Sequence, residues 1–178
     1  MRENMAGHWY VSNTRFGPLV HAKLGIAQEN SGKLVATVRD EAKKVAAMHG
    51  SGAILIDGPP GIGCPVIAAL TGATFVLVVT EPTVSGAHDM ARVLELAKHF
   101  AIPAAVCVNR WDINPEGADR INARAHELGA TIAGRIRYDP AVTKAQVERR
   151  TVVELGGGAA DDIRLLWGHV RQLMDSST

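Results

Sequence analysis

Three short runs set the strongest constraint on this chain: AILID at 53–57, FVLVVT at 75–80 and AAVCVN at 104–109. Each is apolar on both of its alternating faces, ends in a polar residue, and is followed by a segment long enough to hold a helix. A strand that is apolar throughout must be covered on both sides. Crossovers of that length join parallel strands rather than hairpins. The pattern predicts a mostly parallel sheet with helices on both faces, an α/β fold. A chain of 178 residues fits one domain spanning 1–178. Its 47% hydrophobic but 4% aromatic content agrees with an aliphatic sheet core.

The remaining elements follow from periodicity. Trp9–Thr14 alternates, and after a Gly-Pro break Leu19 and Val20 continue the signal, which predicts a hairpin or two edge strands. Leu34, Val35, Val38, Ala42, Val45 and Ala46 recur at helical spacing up to Gly50, with Asn30 or Ser31 as the cap. Further helices are predicted at Pro65–Leu70, from Ser85 to Phe100, over Pro115–Leu128, and over Asp161–Met174. The last would turn Ile163, Leu166, Trp167, Val170 and Leu173 inward. Thr131–Ile136 reads as a weaker strand, Gly156–Gly158 as a hinge, and residues 175–178 as a frayed tail.

Nineteen basic and eighteen acidic residues leave a net charge of +1, which argues against a general nucleic-acid binder. Cys64 and Cys107 have no CxxC spacing, so neither a disulfide framework nor a self-contained metal site is expected. The seven histidines lack metal-ligand spacing and read as surface residues. No run is apolar enough to span a membrane, and MRENMAGHWY lacks a leader's apolar region, so a reducing cytoplasm is the expected compartment.

Ligands of an open parallel sheet bind beyond the carboxyl ends of its strands. Four segments end there: Asp57–Cys64, Thr80–Gly86, Asn109–Asn114 and Arg137–Pro140. In the first, DGPPGIGC, Pro59 and Pro60 stiffen the loop and lack N–H groups, leaving donors at Gly58, Gly61, Ile62, Gly63 and Cys64. A carboxylate beside exposed amides suits a Mg²⁺–phosphate group, with Asp57 on a metal-bound water. The alternative is a packed turn in which Asp57 caps the next helix. Asn109-Arg110-Trp111-Asp112 fits the N-K-x-D guanine-reading pattern except for arginine in the lysine position, so GTP stays open on the motif itself.

The strand–Asp–PPGIG segment resembles the Walker B and switch II region of the MinD/ParA group of P-loop ATPases. VTEPTVSGAHD at 79–89, VNRWD at 108–112, YDPAV at 138–142 and ENSGKLVATVR at 29–39 extend the likeness to the subgroup with an inserted ferredoxin domain. The resemblance implies an ATP- and Mg²⁺-dependent switch. Asp57 would serve the Mg²⁺ sphere through water, and Gly61 would sense the γ-phosphate, flanked by Gly58, Pro60 and Gly63. Glu81 would stand near the phosphates. Asn109 would meet the base, Arg110 and Asp112 would line its pocket, and Tyr138, Asp139 and Pro140 would close over it. Ser85, His88 and Asp89 read equally well as first-turn residues of their helix.

The chain departs from the family in two respects, the phosphate-binding loop and the inserted ferredoxin domain. No glycine-rich loop ending in Lys-Thr or Lys-Ser occurs in it. Asn30-Ser31-Gly32-Lys33 has Leu34 after the lysine and Ala27 where the first glycine belongs, so Lys33 reads as an exposed helix residue. Two cysteines cannot supply the four thiolates of an iron–sulfur cluster. The resemblance therefore implies the C-terminal part of such an ATPase, a truncated product or half of a split protein. It would be paired with itself or with a chain supplying the phosphate-binding loop, and associated with iron–sulfur or redox proteins. A non-catalytic scaffold and a GTP-binding switch are the alternatives. With a central strand missing, the edge beside Ala53–Asp57 is expected to be apolar and open to pairing.

Overall fold

The computed structural model describes residues 7–24 and 31–176. It divides into two compact units, residues 1–72 and 73–178. In the first, β1 (Gly7–Thr14) and β2 (Gly17–Leu24) form an antiparallel hairpin whose register pairs Thr14 with Gly17. Gly17 takes φ +119°, a value side chains rarely adopt, and the Thr14 hydroxyl donates to its carbonyl at 2.7 Å. The expected hairpin is present.

α1 (Ser31–His49) follows, burying Leu34 and Val45 on the face read from the sequence, while Lys33 is exposed. Asn30, one of its two expected caps, lies outside the described residues. Gly32 has a packing role: a Cβ there would sit 3.2 Å from the Cys64 Cβ, so its absence lets the first turn of α1 approach α2 (Cys64–Leu70). The Arg39 guanidinium donates to the carbonyls of Ala68 (2.8 Å) and Thr71, covering the C-terminal end of α2, where partial negative charge collects.

The expected strand at Ala53–Asp57 is not one. These residues join no ladder, and Ile54, Leu55 and Ile56 are 40%, 90% and 37% exposed. Apolar sequence alone does not make a strand. The N–H and C=O groups need a hydrogen-bonded neighbour, and among the described residues none pairs with this segment.

The second unit holds the parallel sheet, in order β3-β4-β5: β3 (Val76–Thr80), β4 (Ala104–Asn109) and β5 (Thr131–Ile136). α3 (Val84–His99), α4 (Pro115–Glu127) and α7 (Gly158–Asp175) cover it. Side-chain alternation along central β4 sends residues to opposite faces. Val106 and Val108 pack with Met90 and Leu94 of α3 and Ala118, Ile121 and Ala125 of α4. Ala105 and Cys107 pack with Leu166 and Val170 of α7. The α/β architecture with helices on both faces is therefore as the sequence predicts, on a three-stranded sheet.

Two short helices, α5 (Ala141–Val147) and α6 (Val152–Leu155), lie between β5 and α7 where none was expected. Trp167 also differs from expectation. It is 51% exposed, because the inward stripe of α7 centres on Leu166, whose side chain lies 3.5 Å from where a Gly134 Cβ would stand, and on Val170 one turn later. The indole falls on the flank of that stripe. Gly156 and Gly157 take φ +87° and +111°, setting the approach to α7.

Candidate functional site

At the carboxyl end of β3, Thr80 is buried, and Thr83 caps α3 by accepting the Gly86 N–H at 2.9 Å. Gly86 is tightly enclosed. A Cβ there would lie 2.4 Å from the Glu81 carbonyl oxygen and 2.8 Å from the Thr80 hydroxyl. Ser85 lies within this cap, 3.3 Å from the Thr83 hydroxyl, in the first turn as expected, whereas His88 and Asp89, an exposed pair at 3.5 Å, fall in the second turn because α3 already begins at Val84.

β4 ends at Asn109, and the chain turns sharply at Arg110, which adopts a left-handed conformation (φ 51°, ψ 39°) before the 3-10 turn Trp111–Ile113. Asn114 then links two loops. Its Oδ1 accepts from the Gly117 N–H at 3.0 Å, capping α4, and its Nδ2 donates to the Pro82 carbonyl at 3.1 Å.

The Arg110 turn places its side chain between the other loops. The guanidinium stands 3.4 Å from the Glu81 carboxylate and 5.9 Å from the centre of the Tyr138 ring. Asp112 Oδ1 accepts the Tyr138 N–H at 2.7 Å. Asp139 Oδ1 accepts the Ala141 N–H at 2.8 Å and its Oδ2 the Ala159 N–H at 3.1 Å. These bonds hold the Asp139 carboxyl below the usual carboxylate range. Asp162 accepts from Arg137 Nε and Nη2 at 2.7 Å each and from the Arg137 backbone at 3.0 Å. The Arg137 guanidinium is the main reason its carboxyl also stays ionised to lower pH than usual.

Arg110 thus meets Glu81 and Tyr138, and Asp112 meets the Tyr138 backbone, with Asn109, Asp139 and Pro140 adjacent in the same loops. Arg137 and Asp162 are structural partners of this cluster that sequence reasoning missed. Their pairing spans 25 residues and leaves no local signal.

The first unit carries the other expected residues. Asp57, Gly58, Pro60, Gly61 and Gly63 are all exposed. Gly61 takes φ +86°, and Gly63 is the N-terminal cap of α2, its carbonyl accepting from Val66 and Ile67 at 2.9 and 3.2 Å. No side chain caps α2, so the alternative role for Asp57 as its cap does not hold. Cys64 is exposed, while Cys107 is buried in β4, where burial, helped by the nearby Asp162 charge, pushes its thiol up to about 12. Among the described residues, no group of three or more His, Cys, Asp or Glu side chains could hold a metal ion, and no helix is long and apolar enough to cross a membrane.

No protein-family model matches the chain. Two uncharacterized proteins of Methanocaldococcus jannaschii are similar to it, MJ0578 at 33% identity over 109 residues and MJ0579 at 28% over 113. These matches cover 61% and 64% of this chain but only 38% and 40% of those proteins. The chain thus spans about two-fifths of the length of the curated relatives it matches. Among solved structures, the MinD cell division protein of Aquifex aeolicus matches with a TM-score of 0.60 at 26% identity, covering 77% of this chain and 60% of that one. MinD of Pyrococcus horikoshii, complexed with Mg-ADP, matches with a TM-score of 0.62 at 20% identity, covering 83% and 59%. The chain has a MinD-like, P-loop NTPase-like α/β fold.

Proposed function

We propose that this chain is the switch and base-binding part of a MinD-type ATP-dependent switch. The observation that carries the reading is the cluster beyond β3, β4 and β5, in which Arg110 and Asp112 join Glu81 and Tyr138 on a MinD-like sheet. Asn109, Arg110, Tyr138, Asp139 and Pro140 form the base site, Asp112 belongs to it through the Tyr138 amide, and Glu81 stands beside Arg110. Gly58, Gly61 and Gly63 offer amides to phosphate oxygens, with Pro60 stiffening the loop between them. The donor set fits Mg²⁺: one exposed carboxylate, Asp57, beside exposed amides suits an ion held largely by water and substrate phosphates, rather than by a protein cage. When bound, that ion would neutralise phosphate charge.

The lysine and hydroxyl of a phosphate-binding loop are absent from these 178 residues. We therefore assign the chain nucleotide binding without turnover of its own, and a complex with a polypeptide that supplies the loop, or a homodimer, as the active form. The exposed apolar side chains at Ile54–Ile56 support a covering partner. The client is an iron–sulfur or redox protein, with the cluster held elsewhere than on Cys64 and Cys107.

Isothermal titration of the whole chain with Mg–ATP tests the reading. Binding is expected in the wild type and is expected to weaken at least about tenfold in Asp57→Ala when Mg²⁺ is present. No heat at millimolar ATP from a folded chain would instead identify a scaffold without nucleotide.

A further inference from the structure

The loop after β5 is tied down at three places before any ligand arrives. Arg137 is held by Asp162 of α7, and Asp139 accepts from Ala159 of the same helix. Both ties fix the loop to α7 alone. Only the third, from the Tyr138 N–H to Asp112 at 2.7 Å, fixes it to the turn after β4, where Asn109 and Arg110 stand. That bond is short and its acceptor is charged, the stronger kind of hydrogen bond. Arg110 bridges the same two loops through the Tyr138 ring, 5.9 Å from its guanidinium, but Arg110 is about half exposed and a solvated contact of that kind adds little.

The bond also restricts what Asp112 can do for a ligand. A carboxylate reads guanine by accepting from the two neighbouring N–H groups of its edge, which needs both oxygens in one plane. Here Oδ1 already accepts the Tyr138 N–H, and turning the carboxylate to lay both oxygens along a guanine edge would compete with that bond. Adenine needs no carboxylate, since its edge offers one amino donor beside ring acceptors.

We infer that Asp112 is a positioning and specificity residue. By accepting the Tyr138 amide it sets the spacing between the two walls of the base site, and in that role it is withheld from guanine, so the site selects adenine. The inference rests on the proposed nucleotide-binding reading and adds the source of its selectivity. Asp112 acts through the backbone of Tyr138, and the base is not its contact.

The test compares wild type, Asp112→Asn and Asp112→Ala in the whole chain, with Mg–ATP and Mg–GTP as probes. It also follows exchange of the Tyr138 amide in the ligand-free protein. Asparagine keeps an acceptor oxygen and alanine keeps none. The wild type is expected to prefer ATP by about tenfold or more, and Asp112→Asn to bind ATP within about threefold of it. Asp112→Ala is expected to lose about tenfold in ATP affinity, to lose most of the preference over GTP, and to exchange Tyr138 faster. A wild type that binds GTP as well as ATP would overturn the inference, as would an alanine variant that matches the wild type, or an asparagine variant as impaired as alanine. A folded wild type that binds neither nucleotide removes the reading of the site itself, and this inference with it. ATP binding with an unaffected alanine variant removes this inference alone.

Discussion

The loop after β5 and the loop after Ala53–Asp57 carry the same kinds of residue, aspartate, glycine or proline beyond an apolar run, and end in opposite states. From Arg137 to Ala141 the backbone amides of Arg137, Tyr138 and Ala141 reach carboxylates, and Asp139 reaches on to Ala159. From Asp57 to Gly63 the aspartate and every glycine are exposed, and the apolar run leading in has no ladder. The difference lies in what stands beside each. β5 has β4 as a neighbour and α7 over one face, so its loop inherits a fixed origin. Among the described residues the segment 53–57 has no strand beside it, so its loop starts from an unpaired run. A loop is only as well defined as the strand that delivers it, and here the loops after β4 and β5 are fixed by their neighbours while the glycine loop is not.

The largest expected contrast between the regions is chemical. Cys64, exposed at the end of the glycine loop, is expected to react with a thiol reagent in the native protein. Cys107, buried with its thiol pushed up to about 12, reacts only when the unit opens, slower by a factor on the order of 10³ or more. Mass spectrometry of time points separates one modified thiol from two, and equal rates would mean that β4 is not the core.

Side-chain deletion gives the next largest difference. Ile121→Ala removes a side chain only 2% exposed and is expected to cost about 3 kcal/mol in a urea melt. Leu55→Ala, at 90% exposure, is expected to cost less than about 0.5 kcal/mol. A cost near that of Ile121 would show Leu55 buried after all, as in the strand its sequence suggests.

Glycine substitutions sharpen the contrast further. Gly86→Ala drives a methyl against the Glu81 carbonyl and Thr80, and about 2 kcal/mol of stability should be lost. Gly61→Ala meets open space and pays only for its positive φ, about 1 kcal/mol. Chemical denaturation of both variants decides the order.

The smallest effect is on pH. Asp139 and Asp162 both have lowered carboxyl values in the folded chain. Their stabilisation is therefore complete above the ordinary carboxylate value near 3.8 and is lost as pH falls through the folded values below it. Amide exchange at Arg137, Ala141 and Ala159 should accelerate there ahead of the β4 amides. Unchanged exchange down to the acid transition would mean the carboxylates do not hold the loop.

Much of this was legible in the sequence because it is local. β4 and β5 have the bounds their apolar runs predict, and the hairpin, α1 and α2 follow from alternation, helical spacing and a proline in the first turn. α6 also had a local signal: Thr151 and Glu154 form a capping box, and that spacing alone could have located it. What the sequence could not show is non-local. The strand at 53–57 depended on a neighbour rather than on its own residues, and Trp167 turned outward because Leu166 packs on Gly134 of β5. For the site, the residue types and order were readable. That Asp112 accepts the Tyr138 amide was not, because nothing in Asn109–Asp112 encodes where Tyr138 will stand.

The most direct test of the account is a pair of NMR titrations of the whole chain, one with adenosine and one with Mg–ATP, following backbone amides. The account predicts that adenosine shifts Asn109, Arg110 and Tyr138 and leaves Gly61 and Gly63 still, while Mg–ATP shifts both sets. Adenosine that leaves the loops after β4 and β5 unmoved, or Mg–ATP that moves neither set, would contradict it.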